Sequence, residues 1–400
     1  MIYTKTGATH QLFKEECFKK LSDAQLEKNS IYWYDQHDMV LKDTPFNSCI
    51  EDAHWEHLRT DPTSKLLAFY GDEYFNILDV DDWCATILKR QINPNQFYLI
   101  VMDENWVNWT IAKMKERGVD GINIQPYNLL MRRVQIQQHN VPVSCRFSAL
   151  SRNYNAYRLN MYAELYQRDL LKHFTYTFNN IFPYSTGIAH QNITIIPKEK
   201  ILEDLATLGY DSLQFSEWVN DMPYTFDNSP VLDKMADATF TAIKQSGINL
   251  LIESHFDPFW HTQGERKRMT PWDLSPAFPT EKTYKAVASQ RPFIAFTTPM
   301  FLKEFKELGY QTFSPFIDET YDIIVNDKLR LAAIAEEINR ICNLSDDDFK
   351  TLLTNCEEIV KHNYAVFLRK QKETKLYSTF DWLSSYVNRN NETYPFLKDL

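Results

Sequence analysis

Glycine is scarce in this chain of 400 residues, nine in all, against 26 Phe, 22 Tyr and 9 Trp. So little glycine argues against collagen-like, linker-rich and propeller architectures. No self-similar period runs through the chain, which argues against a solenoid. Cys17, Cys49, Cys84, Cys145, Cys342 and Cys356 are scattered and form no CxxC pair, as expected of reduced, mostly buried thiols in a cytosolic protein. No apolar run approaches the roughly 18 residues of a membrane span, and the opening MIYTKTGATHQLFKEE lacks the basic-then-apolar order of a secretory leader. A cytoplasmic protein is the expectation. A P-loop, a G-x-G-x-x-G turn and a nucleophile elbow are all missing. Their absence argues against P-loop NTPases, typical dinucleotide oxidoreductases and α/β-hydrolases.

The chain has 44% hydrophobic and 24% charged residues, ordinary for a globular protein, and its length suggests about two domains. The net charge of −10 disfavours indiscriminate binding to nucleic acid or anionic membranes, though not a local basic groove.

Short apolar runs alternate with helical patterns. Strands are expected at 66–70, 97–102, 121–125 and 141–147, and helices at 82–91, 110–117 (stopped by Gly118) and 158–172. After an irregular stretch at 179–198 the pattern restarts. Gly247 ends a helix, 249–252 is a strand closing at Glu253, and a loop of about 26 residues follows. Then come a helix from 281, a strand at 292–296, a helix at 300–308 and a strand at 312–316. Helices at 327–342, 346–362 and 376–388 close the chain. Apolar strands separated by helices predict parallel sheets. The expected fold is α/β, with an N-terminal unit over 1–180, a second over 181–370 and a C-terminal helix in 371–400 packing back on the first. Ligands would sit at strand carboxyl ends, in the crevice between units.

Pro279-Thr280-Glu281-Lys282-Thr283-Tyr284-Lys285 reads as a capped helix start. Helix N-termini carry partial positive charge and suit phosphate; Lys282 adds a full charge and Glu281 would accept from ribose hydroxyls. An ordinary capped helix fits the same residues. Arg152 and Arg158, where a strand passes into a helix, carry planar guanidinium groups suited to clamping a diphosphate, or simply open a basic helix. Asp79-Val80-Asp81-Asp82 has a D-x-D spacing, but before a helix Asp81 or Asp82 reads more simply as an N-cap. Ser345-Asp346-Asp347-Asp348 reads as a capping box, and His54-Trp55-Glu56-His57 lacks the spacing of a zinc helix. No metal site is expected.

Taken together, Glu253, Thr280-Glu281-Lys282, Pro292-Phe293-Ile294, Leu308-Gly309-Tyr310-Gln311-Thr312-Phe313 and Phe316-Ile317-Asp318-Glu319-Thr320-Tyr321-Asp322 resemble the donor half of GT-B glycosyltransferases. The pattern is similar to that of a largely viral and bacterial group, and the strand-Glu…Thr-Glu-Lys core looks like the donor site of fucosyltransferases. The resemblance covers about 145–365, is specific across 280–322, and departs at Tyr157, where relatives often carry His. It implies two Rossmann-like domains facing each other across a cleft, a nucleotide-diphosphate sugar as donor, no cofactor, and inversion without a metal. Carried over, Glu253, Glu281 and Lys282 become donor ligands, joined by Thr280, Arg152 and Arg158.

Sugar transfer needs a base for the acceptor hydroxyl and positive charge for the leaving diphosphate. The base is expected on the first unit, at Glu73 after LLAFYG or Glu104 after FYLIVM, with His37 a further candidate. For the acceptor, Arg266-Lys267-Arg268 between Trp260 and Trp272 suit a nucleic acid or a sugar equally. A hydroxymethylated DNA base fits a viral relative; a glycan or lipid-linked sugar is an equal expectation, and a protein acceptor is the third. A non-catalytic nucleotide- or glycan-binding protein of the same fold would carry the same donor residues.

Overall fold

The computed structural model describes residues 2–5, 31–35, 52–69, 77–101, 104–126, 131, 134, 141–151, 154–183, 193–224, 241–253, 256 and 279–373. The first sheet is all parallel, and its strands lie side by side in the order in which the chain makes them. They are β1 (Ile2–Lys5), β2 (Ile31–Asp35), β3 (Lys65–Phe69), β4 (Phe97–Val101) and β5 (Asn123–Pro126). Helix α1 (Asp52–Thr60) precedes β3, α2 (Ile77–Arg90) links β3 to β4, and α3 (Glu104–Glu116) links β4 to β5. In β4 every residue but Tyr98 is buried, the near-continuous apolar run of a strand covered on both faces. Helix α2 buries Val80, Trp83, Cys84 and Ile87, spaced to put one apolar stripe on the sheet. Trp83 meets the Phe97 ring edge-on at 5.5 Å. Gln96 closes the turn between α1 and β3, its buried amide donating to the carbonyls of Leu58 (2.9 Å), Asp61 (2.8 Å) and Ser64 (3.1 Å).

The second sheet follows from β6 (Cys145–Leu150), α4 (Ala156–Gln167) and β7 (Phe174–Thr177). A small antiparallel hairpin, β8 (Ile181–Pro183) with β9 (Ile193–Ile195), leads to α5 (Lys198–Leu208) and α6 (Ser216–Asn220). Then come β10 (Ser246–Ile252), α7 (Glu281–Ala288), β11 (Phe293–Phe296), α8 (Phe301–Glu307), α9 (Asp327–Cys342) and the long α10 (Asp346–Glu373). The order is β11-β10-β6-β7, all parallel, so the chain lays β7 on one side of β6 and later returns to lay β10 on the other. Tyr162 of α4 pins both strands, its hydroxyl donating at 2.9 Å toward the carbonyls of Ala149 and Thr177.

Several expectations are corrected. The strands at 145–150 and 174–177 belong to the second sheet, so the sheets part between 126 and 145, not near 180. Helix α2 begins at Ile77, so Asp79-Val80-Asp81-Asp82 lies within it and does not cap it; Val80 is buried and Asp81 pairs with Arg117. Gly247 sits inside β10: a Cβ there would lie 2.5 Å from the Phe349 ring, so α10 crosses the strand where only glycine leaves room. Residues 312–316 are turns, with Phe316 and Ile317 both donating to the Phe313 carbonyl at 2.9 Å. The irregular 179–198 stretch contains the β8–β9 hairpin. Helix α10 runs on to Glu373, and the expected helix at 376–388 lies outside the described residues. The capping box is present, with Ser345 Oγ donating to Asp348 (2.7 Å) and accepting from its backbone N–H (3.1 Å). Among the described residues no helix is long and apolar enough to cross a membrane.

Candidate functional site

In a parallel sheet, two neighbouring connections that depart to opposite sides leave a crevice at the carboxyl edge. Here that point lies between β6 and β10. β6 runs out into Ser151 and then α4; β10 runs out into Glu253, and α7 begins against it.

Glu253 is 2% exposed. Its carboxylate accepts from the Thr280 backbone N–H (3.1 Å), from Thr280 Oγ1 (2.6 Å) and from Thr283 Oγ1. Thr280 passes the arrangement on: it is the N-cap of α7, and its Oγ1 accepts from the Lys282 N–H at 3.3 Å. Glu253 therefore fixes where α7 starts. The resemblance implies direct donor contact for Glu253, but both its oxygens are engaged with threonines inside the fold, which makes it a positioning residue. Burial pushes its carboxyl upward against the opposing pull of Lys282 and the two threonine hydroxyls.

Glu281 and Lys282 stand at the mouth, 30% and 26% exposed, with 3.1 Å between Lys282 Nζ and Glu281 Oε1. Nζ also reaches Thr280 Oγ1 at 3.3 Å, so the ammonium folds back over the helix N-terminus. Burial raises the Glu281 carboxyl, but Lys282 and Lys285 outweigh it and hold the group well below the usual carboxylate range. Two carboxylates and two ammonium groups thus surround one helix start.

The α4 side completes the crevice. Asn155 caps α4, accepting from the Arg158 N–H at 3.0 Å, and Arg158 is buried with its guanidinium 5.5 Å from the Tyr157 ring. Tyr157, at the position of departure from the relatives, donates to the Glu253 carbonyl at 3.3 Å. Its ring stacks with Phe256 and Phe296, which lie 4.0 Å apart, centroid to centroid. The structure therefore brings together Glu253, Thr280, Glu281 and Lys282, with Arg158 one residue on from Tyr157, whose hydroxyl reaches the Glu253 carbonyl. Glu73, His37, Arg152, Trp260, Arg266, Lys267, Arg268 and Trp272 lie outside the described residues.

Glu104 opens α3 directly after β4 and is 57% exposed, with both oxygens 3.2 Å from Lys370 Nζ of α10. Its neighbour Asn105 donates to the Glu304 carbonyl (3.1 Å) and carboxylate (2.9 Å), and Gln371 donates to the carbonyls of Met131 and Val134. Residues 374–400 lie outside the described residues.

Sequence reasoning missed Arg330, which is 1% exposed on the apolar face of α9. Its guanidinium lies 4.0 Å over the Phe256 ring and donates to the carbonyls of Phe256, Thr297 (3.1 Å), Ile324 (2.9 Å) and Val325 (3.2 Å) and to Asp327 (2.7 Å). An arginine in the same helical stripe as Ile334 and Ile338 was the available signal. The Phe316–Asp322 motif proves to be scaffolding. Glu319 accepts from the Phe313 N–H (2.7 Å), the Tyr321 hydroxyl accepts from the Ala295 N–H (3.1 Å), and Asp322 accepts from Leu302 and Lys303 at the start of α8. Arg146 is spent on the junction of α9 and α10, donating to the carbonyls of Ile341 and Leu344 at 2.8 Å and to the Asp346 carboxylate at 2.9 Å. In α1, Glu56 pairs with Arg59 and His57 with Asp61. Among the described residues no group of three or more His, Cys, Asp or Glu is placed to hold a metal.

No family model matches the chain, and no curated protein matches it in sequence. Solved structures align with most of its length at low similarity. The N-terminal domain of Candida albicans trehalose-6-phosphate phosphatase is 10% identical, with TM-score 0.44 over 92% of this chain and 75% of that one. A UDP-forming alpha,alpha-trehalose-phosphate synthase from Burkholderia vietnamiensis is 11% identical, with TM-score 0.45 over 94% and 75%. The Gap123 glycosylation-associated complex of Streptococcus agalactiae is 11% identical, with TM-score 0.35 over 91% and 57%.

Proposed function

We propose that the chain is a GT-B type glycosyltransferase that takes a nucleotide-diphosphate sugar at the crevice between β6 and β10. The observation that carries this reading is the junction at the switch point, where buried Glu253 sets the start of α7 so that Thr280, Glu281 and Lys282 stand together at the carboxyl edge. A helix N-terminus with a lysine folded over it suits a diphosphate, and Glu281 suits ribose hydroxyls.

In the reaction, the acceptor hydroxyl oxygen attacks the anomeric carbon, the bond from that carbon to the diphosphate oxygen breaks, and the hydroxyl proton passes to a base. Lys282, Arg158 and the α7 N-terminus meet the negative charge that grows on the leaving diphosphate. Displacement from the far side inverts the anomeric centre, and protein cations serve where other transferases use a metal. The base belongs to the carboxyl edge of the first unit, at Glu73 or Glu104. The acceptor is a glycan, a lipid-linked sugar or, in a viral setting, a hydroxymethylated DNA base.

Thermal-shift titration with UDP-, GDP- and CDP-sugars tests the donor site. One of these should raise Tm, and slow hydrolysis of that donor without acceptor should follow. No shift with any of them would sink the reading; binding without hydrolysis or transfer would leave a nucleotide-sugar-binding protein.

A further inference from the structure

A cavity of about 660 Å³ opens beside β7, framed by the carboxyl end of α4, the turn that enters β7, and α6. A volume in that range suits a small organic ligand. One wall is aromatic. Phe215 and Trp218 are buried, and Tyr166 packs on them at 5.2 and 5.6 Å between ring centroids. Tyr224 lies 6.1 Å from Trp218 and 5.0 Å from Tyr176, and its hydroxyl donates to the Trp218 carbonyl at 2.7 Å. Tyr166, Tyr176 and Tyr224 are only half-buried, so the core leaves part of each to the cavity. The rings are held by one another and by the backbone, which sets the wall before any ligand arrives.

Charge marks the rest of the lining. Three carboxylates, Asp169, Glu217 and Asp221, stand there against one ammonium, Lys172. Lys172 is committed to Asp169 at 2.5 Å. Glu217 and Asp221 are exposed, and among the described residues neither forms an ion pair. Other cations nearby are engaged elsewhere: Arg168 with Glu164 (2.7 Å) and Glu336 (2.5 Å), and Lys198 with the Asn220 carbonyl. Glu217 and Asp221 are four residues apart on α6 and its cap, a spacing at which like charges repel. Asp221 is the C-cap of α6, and Asp169 follows the carboxyl end of α4. A helix carboxyl end favours a cation, so these acids are placed against the local rule. A bound cation would offset both costs.

We infer that this cavity binds an organic cation, an alkylated ammonium group set against the tyrosine rings, with Glu217 and Asp221 supplying the opposite charge. A cation is attracted to an aromatic face, most where water is partly excluded, and carboxylates beside the rings add to that attraction. The same balance of charge disfavours phosphates and carboxylic acids. A neutral sugar also rests on aromatic rings, but its hydroxyls do not balance a surplus of negative charge. The proposal is independent of the sugar-transfer reading, because the cavity and the crevice share no residue.

Calorimetric titration of the whole chain with choline, and with its uncharged carbon analogue dimethylbutanol, tests it. Choline should bind, more weakly as salt rises, and the alcohol should bind about threefold to thirtyfold more weakly than choline. Glu217→Gln and Asp221→Asn should each weaken choline about twofold to fivefold and leave the alcohol unchanged. Lys172→Gln removes the ammonium in the lining and should tighten choline about twofold. Tyr166→Leu keeps apolar bulk but removes a ring, and should weaken choline about threefold to thirtyfold. Should that variant fail to fold, the three charge variants, all at exposed positions, still decide the matter. No choline binding at low salt, equal binding of choline and the alcohol, or choline binding indifferent to all three charge variants would overturn the site. Methyl glucoside binding more tightly than choline, and lost through Tyr166→Leu, would overturn the assignment to a cation.

Discussion

The two sheets bury polar groups of different kinds. Among the described residues the first unit buries Ser64, Thr86, Gln96 and Thr110, all neutral, whereas the second buries Arg158, Lys244, Glu253, Asp322, Arg330 and Glu337. Buried charge is costly unless it is paired and hydrogen-bonded. Its concentration on one side of the molecule therefore marks where structure has been bent to a purpose. Topology agrees: the first sheet runs β1 to β5 without reversal, while the second reverses between β6 and β10. An all-consecutive sheet offers no built-in crevice; a reversed one does. Among the described residues the first unit has a core without buried charge, and the second holds the buried charges and the crevice on which the proposed donor site rests.

The largest expected effect tests that contrast directly. Glu253→Ala leaves the Thr280 N–H and two threonine hydroxyls without their acceptor inside the fold. We expect a loss of about 3 kcal/mol, a fall in Tm of roughly 6–12 °C, and no donor binding. Gln96→Ala in the first unit also removes three buried contacts, but from a neutral amide to carbonyls, and should cost only about 1–2 kcal/mol. A larger loss at Gln96 than at Glu253 would break the comparison.

Lys282→Ala comes next and separates chemistry from stability. A charge that matters more as the leaving group develops should lower kcat as well as raise KM. The expected loss in kcat/KM is about tenfold to a hundredfold, from a contact of roughly 1.5–3 kcal/mol. Tm should hardly move, since Nζ sits at the surface of the crevice over Thr280 and Glu281. Lys285→Ala, one turn along, is the control. Equal small effects at both would reduce Thr280-Glu281-Lys282 to a helix cap.

Much of this contrast was legible in the sequence, and the misses share a cause. Apolar runs such as FYLIV and the stripe of α2 announce themselves because burial demands them locally. Thr280 was legible as a cap because capping is local too. The sheet boundary was not: whether β6 pairs forward with β5 or later with β10 is decided by contacts about 100 residues apart, which no window of sequence contains. The β10 start was misjudged at Gly247 for the same reason, because the Phe349 ring that requires glycine comes from a distant helix. Glu319, Tyr321 and Asp322 stood out as a motif, and only the fold reveals that they brace Phe313, Ala295 and α8.

A smaller effect sharpens the account of that motif through pH. Burial pushes the Glu319 carboxyl up to about 7, against the Thr312 hydroxyl and the Phe313 N–H, which favour its charged form. The folded chain therefore holds a proton there that the unfolded chain has already lost, from the ordinary carboxyl range up to about 7. Across that window folding stability should fall as pH rises, and it should level off above it. The total is on the order of 2–3 kcal/mol. Glu319→Gln keeps an acceptor for Phe313 and should flatten the dependence of Tm on pH. An unchanged slope in the variant would assign the titration to another group, with the raised carboxyl of Asp322 next in line.

The smallest expected effect falls in the first unit, at Glu104. Its carboxylate is 57% exposed and both oxygens face Lys370 Nζ at 3.2 Å. Exposed ion pairs contribute about 0.2–1 kcal/mol, so Glu104→Gln should shift Tm by no more than a few degrees. Lys370→Met should do the same, and the double variant should lose little more than either alone, since both remove one contact. Turnover then decides what else Glu104 does. As one half of a tie between α3 and α10 it should cost less than about threefold in kcat, and the base would fall to Glu73. A general base contributes about 10²–10⁴-fold. A loss of that size in Glu104→Gln, with Lys370→Met near wild type, would show that the first unit's carboxyl edge takes part in the reaction and is more than scaffold.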